Sequence, residues 1–279
     1  MKKFVYALAV CLAACLPTGC SDNDDPDPVP EGEKVTLTEA GTLRTVLGDH
    51  LMEIEAITID GPMDFLDLSA LYAPSVEGKL MSIDLSDARL EDNTIHGYVF
   101  CPYVNGAASL PSVRATRPSE EKYSPTPKFT RFVFPKNLEK IGAFAFGYTR
   151  VEKLEFPATL REIGSSAFYE CDNLRQDRLF FPEGLEKIGV GAFYHATLND
   201  VVLPSTLKEI GAKAFDSAIA GNVYSLSPEP PVCLYDSAFD GCGNSTLYVP
   251  VGAKASYAAV KGWSGFAKIV ETKDFPKQR

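Results

Sequence analysis

The chain has 279 residues, enough for one large domain or two modest ones, and its 45% hydrophobic and 23% charged residues exclude global disorder. A net charge of −10, from 27 Lys and Arg against 37 Asp and Glu, argues against a nucleic-acid partner, because phosphate binding needs clustered cations. Three His and one Trp leave little for a His-rich metal centre, and neither metal nor cofactor is expected.

Lys2 and Lys3 precede an apolar run from Phe4 to Leu16, closed by Pro17. A basic start, a short apolar stretch and then small residues read as an export signal. Thirteen apolar residues are too few to span a bilayer as a helix, and no later stretch is long enough. Residues 21–34 then hold six acids and three prolines, a composition that stays extended and solvated. They lack the Gly turn and distal Glu of an EF-hand loop, so a spacer is expected and not a calcium site.

The end of the export signal resembles a bacterial lipoprotein signal, in which small residues precede a Cys that becomes lipidated. Leu12-Ala13-Ala14-Cys15 matches that box at every position, whereas Pro17-Thr18-Gly19-Cys20 departs from it at the first. Cys20 is nevertheless followed by Ser21-Asp22-Asn23-Asp24-Asp25-Pro26-Asp27, which resembles the surface-export signal of lipoproteins from Gram-negative anaerobes. Cys20 is the favoured attachment site and Cys15 the alternative. The resemblance implies an outer-membrane, cell-surface location, held by several acyl chains on one Cys.

Residues 35–92 read as a distinct, acidic segment, with strands at Ile57-Thr58-Ile59 and Leu80 to Ser86 and a short helix from Leu66 to Tyr72. From Phe132 onward one frame recurs: Pro, two residues, Leu, two residues, Ile-Gly, two residues, Ala-Phe. The copies are Pro135-Leu138-Ile141-Gly142-Ala145-Phe146, Pro157-Leu160-Ile163-Gly164-Ala167-Phe168, Pro182-Leu185-Ile188-Gly189-Ala192-Phe193 and Pro204-Leu207-Ile210-Gly211-Ala214-Phe215. A fifth keeps only Ala238-Phe239, and the Phe positions step by 22, 25, 22 and 24 residues. Ahead of each Pro lies a short apolar run, at Phe132-Val133-Phe134, Leu154-Glu155-Phe156, Leu179-Phe180-Phe181 and Val201-Val202-Leu203, which predicts a strand ended by the Pro. The Gly after each Ile is expected to take a backbone angle that other residues resist. Tight turns, or one helical turn, are expected at Ala-Phe.

This frame resembles the leucine-rich-repeat units of BspA-like surface proteins. Leu247-Tyr248-Val249-Pro250, Tyr257, Gly262-Trp263 and Phe266 to Val270 resemble that family's closing unit. Ile95-His96-Gly97-Tyr98-Val99-Phe100 reads as a degraded copy. From Phe100 to Pro135 is a step of 35 residues, against 11 from Phe146 to Pro157, so about 24 are inserted. The expected fold class is an α/β, strand-rich leucine-rich-repeat solenoid of short parallel strands joined by turns or single helical turns and capped at both ends. The expected division is a signal peptide at 1–19, a tether at 20–34 and N-terminal capping units at 35–92. A degraded repeat with an inserted loop follows at 93–128, then repeats at 129–245 and a cap at 246–279.

The tempting chemistry is sparse. Asp49-His50 could supply two members of a triad, but no Gly-x-Ser-x-Gly elbow exists, and Gly262-Trp263-Ser264-Gly265-Phe266 misses it by one residue. His96 and His195 are expected as surface or packing residues. Cys171 and Cys242 fall three residues after Phe168 and Phe239, in a slot otherwise holding Thr149, Ala196 and Ala218, which predicts a small buried position. A Cys233–Cys242 disulfide stays open at this level. No catalysis is expected. The resemblance implies a monomeric surface protein that adheres to a protein or cell-surface ligand, from host matrix or another bacterium. Arg114, Arg117, Lys122 and Lys128 of the inserted loop are the candidate binding residues. An accessory role in an envelope complex is the alternative, and a glycan-active enzyme with its site in the acidic N-terminal segment a more distant one.

Overall fold

A computed structural model describes residues 32–101 and 126–278. The N-terminal elements are β1 (Glu33–Thr36), α1 (Leu43–Leu47), β2 (Ala56–Met63), α2 (Phe65–Ala70), α3 (Tyr72–Val76), β3 (Ser82–Asp84), β4 (Ala88–Leu90) and β5 (Thr94–Ile95). The repeat supplies β6 (Arg131–Val133), β7 (Lys140–Ile141), β8 (Glu162–Ile163), β9 (Arg178–Phe180), β10 (Lys187–Ile188), β11 (Asp200–Leu203) and β12 (Glu209–Ile210). It continues through β13 (Val223–Ser225), β14 (Val232–Cys233), β15 (Thr246–Pro250), α4 (Lys254–Ala259) and β16 (Lys268–Thr272). The strands pair in parallel throughout, as a chain must when each turn of a coil lays one strand beside its counterpart in the next.

Three sheets result. The first joins β1, β2, β3 and β6, with β4 on the far half of β2, and the second runs β9, β11, β13, β15, β16. The third is a narrow sheet of two-residue strands in the order β5, β7, β8, β10, β12, β14. Each strand from β7 to β12 in this narrow sheet buries its Ile completely and turns the preceding Lys or Glu outward. The pairing of β3 with β6 and of β5 with β7 carries both ladders from the N-terminal segment into the first full repeat.

Within one coil, Pro starts a turn that Leu ends: Leu138 N–H donates to the Pro135 carbonyl at 3.1 Å, and Leu160 and Leu185 repeat the bond at the same length. Next comes the Ile of the narrow strand and then a series of turns that carries the Phe inward. Every N–H from Phe144 to Thr149 has a partner there. Ala145, Gly147 and Thr149 donate three residues back, while Phe144, Phe146 and Tyr148 donate to Ser165, Ala167 and Tyr169 of the next coil. Turns, not a helix, therefore satisfy this edge. The alternation requires left-handed backbone at Phe144, Tyr148, Ser166, Glu170, His195, Lys213 and Ser217.

The core is one continuous cluster. Its spine is a file of fully buried rings, Phe146, Phe168, Phe193 and Phe215, followed by Phe239, with centroids 5.1 to 5.4 Å apart and near-parallel planes. Offset stacking of this kind adds about 0.5–1.5 kcal/mol per pair to the burial itself. Phe100 extends the file at one end, 5.4 Å from Phe146. At the other end Trp263 and Phe266 cover Phe239, at 4.8 and 5.1 Å. Trp263 donates to the Pro231 carbonyl at 2.9 Å, and the Tyr257 hydroxyl donates to the Ser227 carbonyl at 2.9 Å, so both large polar-tipped rings are satisfied.

Two expectations need correction. The Gly after each Ile does not sit at positive φ; that conformation falls two and six residues later, on non-glycine residues except at Gly191. Gly is required because the coils touch there. A Cβ on Gly189 would lie 2.5 Å from the Ser165 nitrogen and one on Gly164 2.8 Å from the Ala143 nitrogen. Residues 154–156, in turn, form no strand. The third coil is longer than its neighbours, and Gln176 there bonds both backbone groups of Leu154, accepting from its N–H at 2.6 Å and donating to its carbonyl at 3.3 Å. A side-chain amide thus replaces a ladder rung, and the wide sheet is split into two while the narrow sheet runs on unbroken.

Gly189→Ala is expected to cost about 1–3 kcal/mol, the usual penalty of overpacking. Gly265→Ala, whose Cβ would meet no atom within 4 Å, is expected to change stability by less than about 0.5 kcal/mol. Urea melts of the two variants check the contrast. Gln176→Ala strands the Leu154 N–H and carbonyl, at about 1–3 kcal/mol, and should speed amide exchange at Leu154 while Phe132 and Val202 keep their protection.

Candidate contact surface

A stacked coil presents its outward positions as rows, and each face of this solenoid has its own chemistry. On the narrow sheet the outward row is Lys140, Glu162, Lys187, Glu209. Lys140 pairs with Glu162 at 3.1 Å and Lys187 with Glu209 at 2.8 Å, and one position earlier Lys208 pairs with Glu186 at 2.8 Å. Charges that satisfy one another offer little to a ligand.

The turn edge differs. Tyr98 stacks on Phe144 at 5.3 Å, Phe144 lies 6.1 Å from Tyr169, and Tyr169 stacks on Tyr194 at 5.1 Å. His195 stacks on Tyr194 and Lys213 lies 5.6 Å above the Tyr194 ring. Phe144, Tyr169 and Tyr194 are partly exposed, Tyr98 is 38% exposed, and Val190 stands out beside them. Burial, chiefly, pushes the Tyr169 phenol up to about 12, so that ring is neutral at ordinary pH. It is a rigid, amphipathic strip whose positions are fixed by the coil-to-coil hydrogen bonds beneath. In the sequence it was hidden, because these aromatics sit at two different offsets from the repeat Phe, two before it and one after it.

The wide sheet over the second half carries another row: Phe180, Val202, Tyr224, Tyr248 and Val270 stand opposite one another in register. Tyr224 and Tyr248 stack at 4.7 Å. Beside them Arg178 donates to Asp200 at 2.8 Å and lies 5.6 Å from the Tyr224 ring.

Among the described residues, two depressions are of about 390 Å³ each. One lies at the sheet break, between Lys153 to Glu155 and Arg175 to Arg178. The other, in the N-terminal segment, is lined by Asp64, Phe65, Glu91, Asp92, Thr94 and His96. There His96 is 3.1 Å from Asp92 and edge-on to Phe65. His50 pairs with Glu33 at 2.8 Å, and not with the adjacent Asp49, so the two do not form a triad arm. Among the described residues, no group of three or more His, Cys, Asp or Glu is arranged to hold a metal. No described helix is long and apolar enough to cross a membrane.

Of the residues singled out in the sequence, Cys15, Cys20, Arg114, Arg117 and Lys122 lie outside the described residues. Lys128 is exposed, and its backbone N–H is held by the Ser75 carbonyl at 2.7 Å. Thr149, Cys171, Ala196, Ala218 and Cys242 are all buried, as their shared slot requires. The slot also has a polar use: Thr149 donates to the Phe146 carbonyl at 2.8 Å, as does the Cys171 thiol at 3.1 Å, and Cys242 donates to that of Phe215 at 3.3 Å. Cys233 and Cys242 carry free thiols, which answers the disulfide question. Burial pushes Cys171 and Cys233 up to about 12 and raises Cys242 as well, which leaves them poor nucleophiles.

Parallel strands, of two to five residues in the repeats, a buried Phe file and a glycine contact at each of the four full copies define a leucine-rich-repeat solenoid. Residues 119–222 match the family model described as a BspA type leucine rich repeat region, in six copies, and no catalytic family is indicated. No curated protein matches the sequence. Among the solved structures that are similar are these two. The pneumococcal vaccine antigen PcpA is 16% identical with a TM-score of 0.40, covering 80% of this chain and 60% of its own. A leucine-rich repeat protein from Bacteroides ovatus is 17% identical with a TM-score of 0.34, covering 86% of this chain and 66% of its own. The chain thus spans 60% of the length of the PcpA chain.

Iodoacetamide at pH 8 is expected to leave Cys171 and Cys242 unmodified in the folded protein and to reach both after unfolding. A reductant should not move the melting temperature. Peptide mass spectrometry and a thermal melt with and without reductant check the two statements.

Proposed function

We propose that this chain is a surface-anchored binding protein that presents its solenoid to a protein or cell-surface ligand and performs no catalysis. The observation that carries this reading is the partly exposed row Tyr98, Phe144, Tyr169, Tyr194, held rigid along one edge. Tyr-rich strips give large contact area at low entropic cost and are enriched at interface hot spots. The export signal, the Cys20 attachment site with Cys15 as alternative, and the acidic tether at 20–34 support display on the outer membrane's outer side. The inserted loop, with Arg114, Arg117, Lys122 and Lys128, is a second place for a ligand, and the ligand is a host matrix component or another bacterial surface.

A second reading, an accessory subunit of an envelope complex, is favoured by one patch. Val232, Leu234 and Tyr235 are 60%, 46% and 65% exposed on and just after β14, the last strand of the narrow sheet, whose edge the Gly262-Trp263 turn partly covers. An apolar strand edge of this kind suits a permanent protein neighbour.

Protease shaving of intact cells separates the two. Peptides from residues 129–270 should be released while a periplasmic marker stays intact; release only after lysis would move the protein to the assembly role. For cells or matrix proteins that bind it, Tyr169→Ser with Tyr194→Ser is expected to weaken binding by about thirty-fold, the loss of one good hot spot.

A further inference from the structure

The second wide sheet has an outward face that is not bare. Alternation along β11 turns Val201 and Leu203 inward and Val202 and Pro204 outward. Yet Val202 is only 3% exposed and Pro204 is buried too. Arg178, reaching from β9 to the Tyr224 ring, covers one side of this strand, and its Nε is buried with no acceptor among the described residues. The other cover is the segment after β16. It leaves the far edge of the sheet at Thr272, where the Asp274 N–H turns back onto the Thr272 hydroxyl at 3.0 Å. Gln278 then lies in the depression beside Arg178 and Phe180, at the opposite edge. Four strand spacings separate β16 from β9, about 19 Å, and six residues of extended chain cover about 20 Å. From the bend at Lys273 the segment therefore runs back across the sheet toward β9, with Phe275 and Pro276 in the middle and partly buried.

We propose that residues 273–278 are a strap seated on a peptide-docking face, and that an extended segment of like chemistry from a partner protein displaces it. That chemistry is an aromatic residue followed by proline, with lysines on either side as Lys273 and Lys277 stand here. The face suits the aromatic and the proline: Phe180, Tyr224 and Tyr248 give ring surfaces for them, while the depression mixes Glu155 and Asp177 with Lys153, Arg175 and Arg178, and Lys273 and Lys277 stay exposed to solvent. The proposal rests on reading the chain as a binding protein, and it adds a second face, occupied in cis until a competitor arrives.

The test uses the full chain, a chain ending at Thr272, and a full-length Phe275→Ser, Pro276→Ser variant in case truncation disturbs folding. Hydroxyl-radical footprinting should show severalfold faster modification of Phe180 and Tyr224 in both altered chains, with Tyr235, already exposed, as the unchanged reference. A fluorescein-labelled peptide of residues 271–278 should bind the two altered chains and bind the full chain about ten-fold more weakly, as a face occupied nine-tenths of the time requires. Equal footprints in all three chains, a peptide that binds the full chain as well as the altered ones, or a peptide that binds none of them overturns the proposal. Because footprinting needs no external ligand, the strap can fail while the surface role stands, and shaving can fail while the strap stands.

Discussion

Close approach between successive coils at the Ile-Gly step is the constraint on which this structure depends. At that point the backbone of one coil lies where the Cβ of the next would be, so only glycine fits. The contact sets the spacing of the whole stack. With coils held that near, the Phe rings fall at 5.1 to 5.4 Å, and each N–H along the turn edge reaches either its own coil or the next. A larger spacing would break the hydrogen-bond alternation and open the Phe file together. Energy in such an array is shared between neighbours, so each unit is stable only in its place.

The repeat frame was legible because a solenoid writes one structural unit many times. Pro, Leu, Ile, Ala and Phe recur at fixed offsets, and their roles as turn, core, narrow strand and file follow from burial alone. The Cys and Thr slot could be read by aligning copies. The glycine was found but its reason was not, since sequence does not distinguish a left-handed residue from a close contact. Nor did the pattern mark Phe144, Glu170 or His195 as the residues that take the left-handed turn. Their conformation is imposed by two sets of hydrogen bonds, and local preference runs against it.

Leu154-Glu155-Phe156 shows the other limit. The run has the apolar content of its counterparts and would pair if the next coil matched it in length. The extra residues of that coil instead bring the Gln176 amide to Leu154, a long-range substitution that leaves no mark in the run itself. The contact rows were likewise invisible. Tyr98, Tyr169 and Tyr194 belong to different coils at different offsets, and only the stacking makes them neighbours.

The break at Gln176 has a mechanical meaning. Across it the narrow sheet is continuous and the wide sheet is not, so the molecule is braced by strands along one side and, along the other, more open side, by the Glu152–Thr130 and Arg175–Glu152 backbone bonds and the Gln176 amide. Compliance in a beam of this kind collects at the open side, with the narrow sheet acting as the hinge line. Bending there would swing the first wide sheet relative to the second and change the separation of their outer rows.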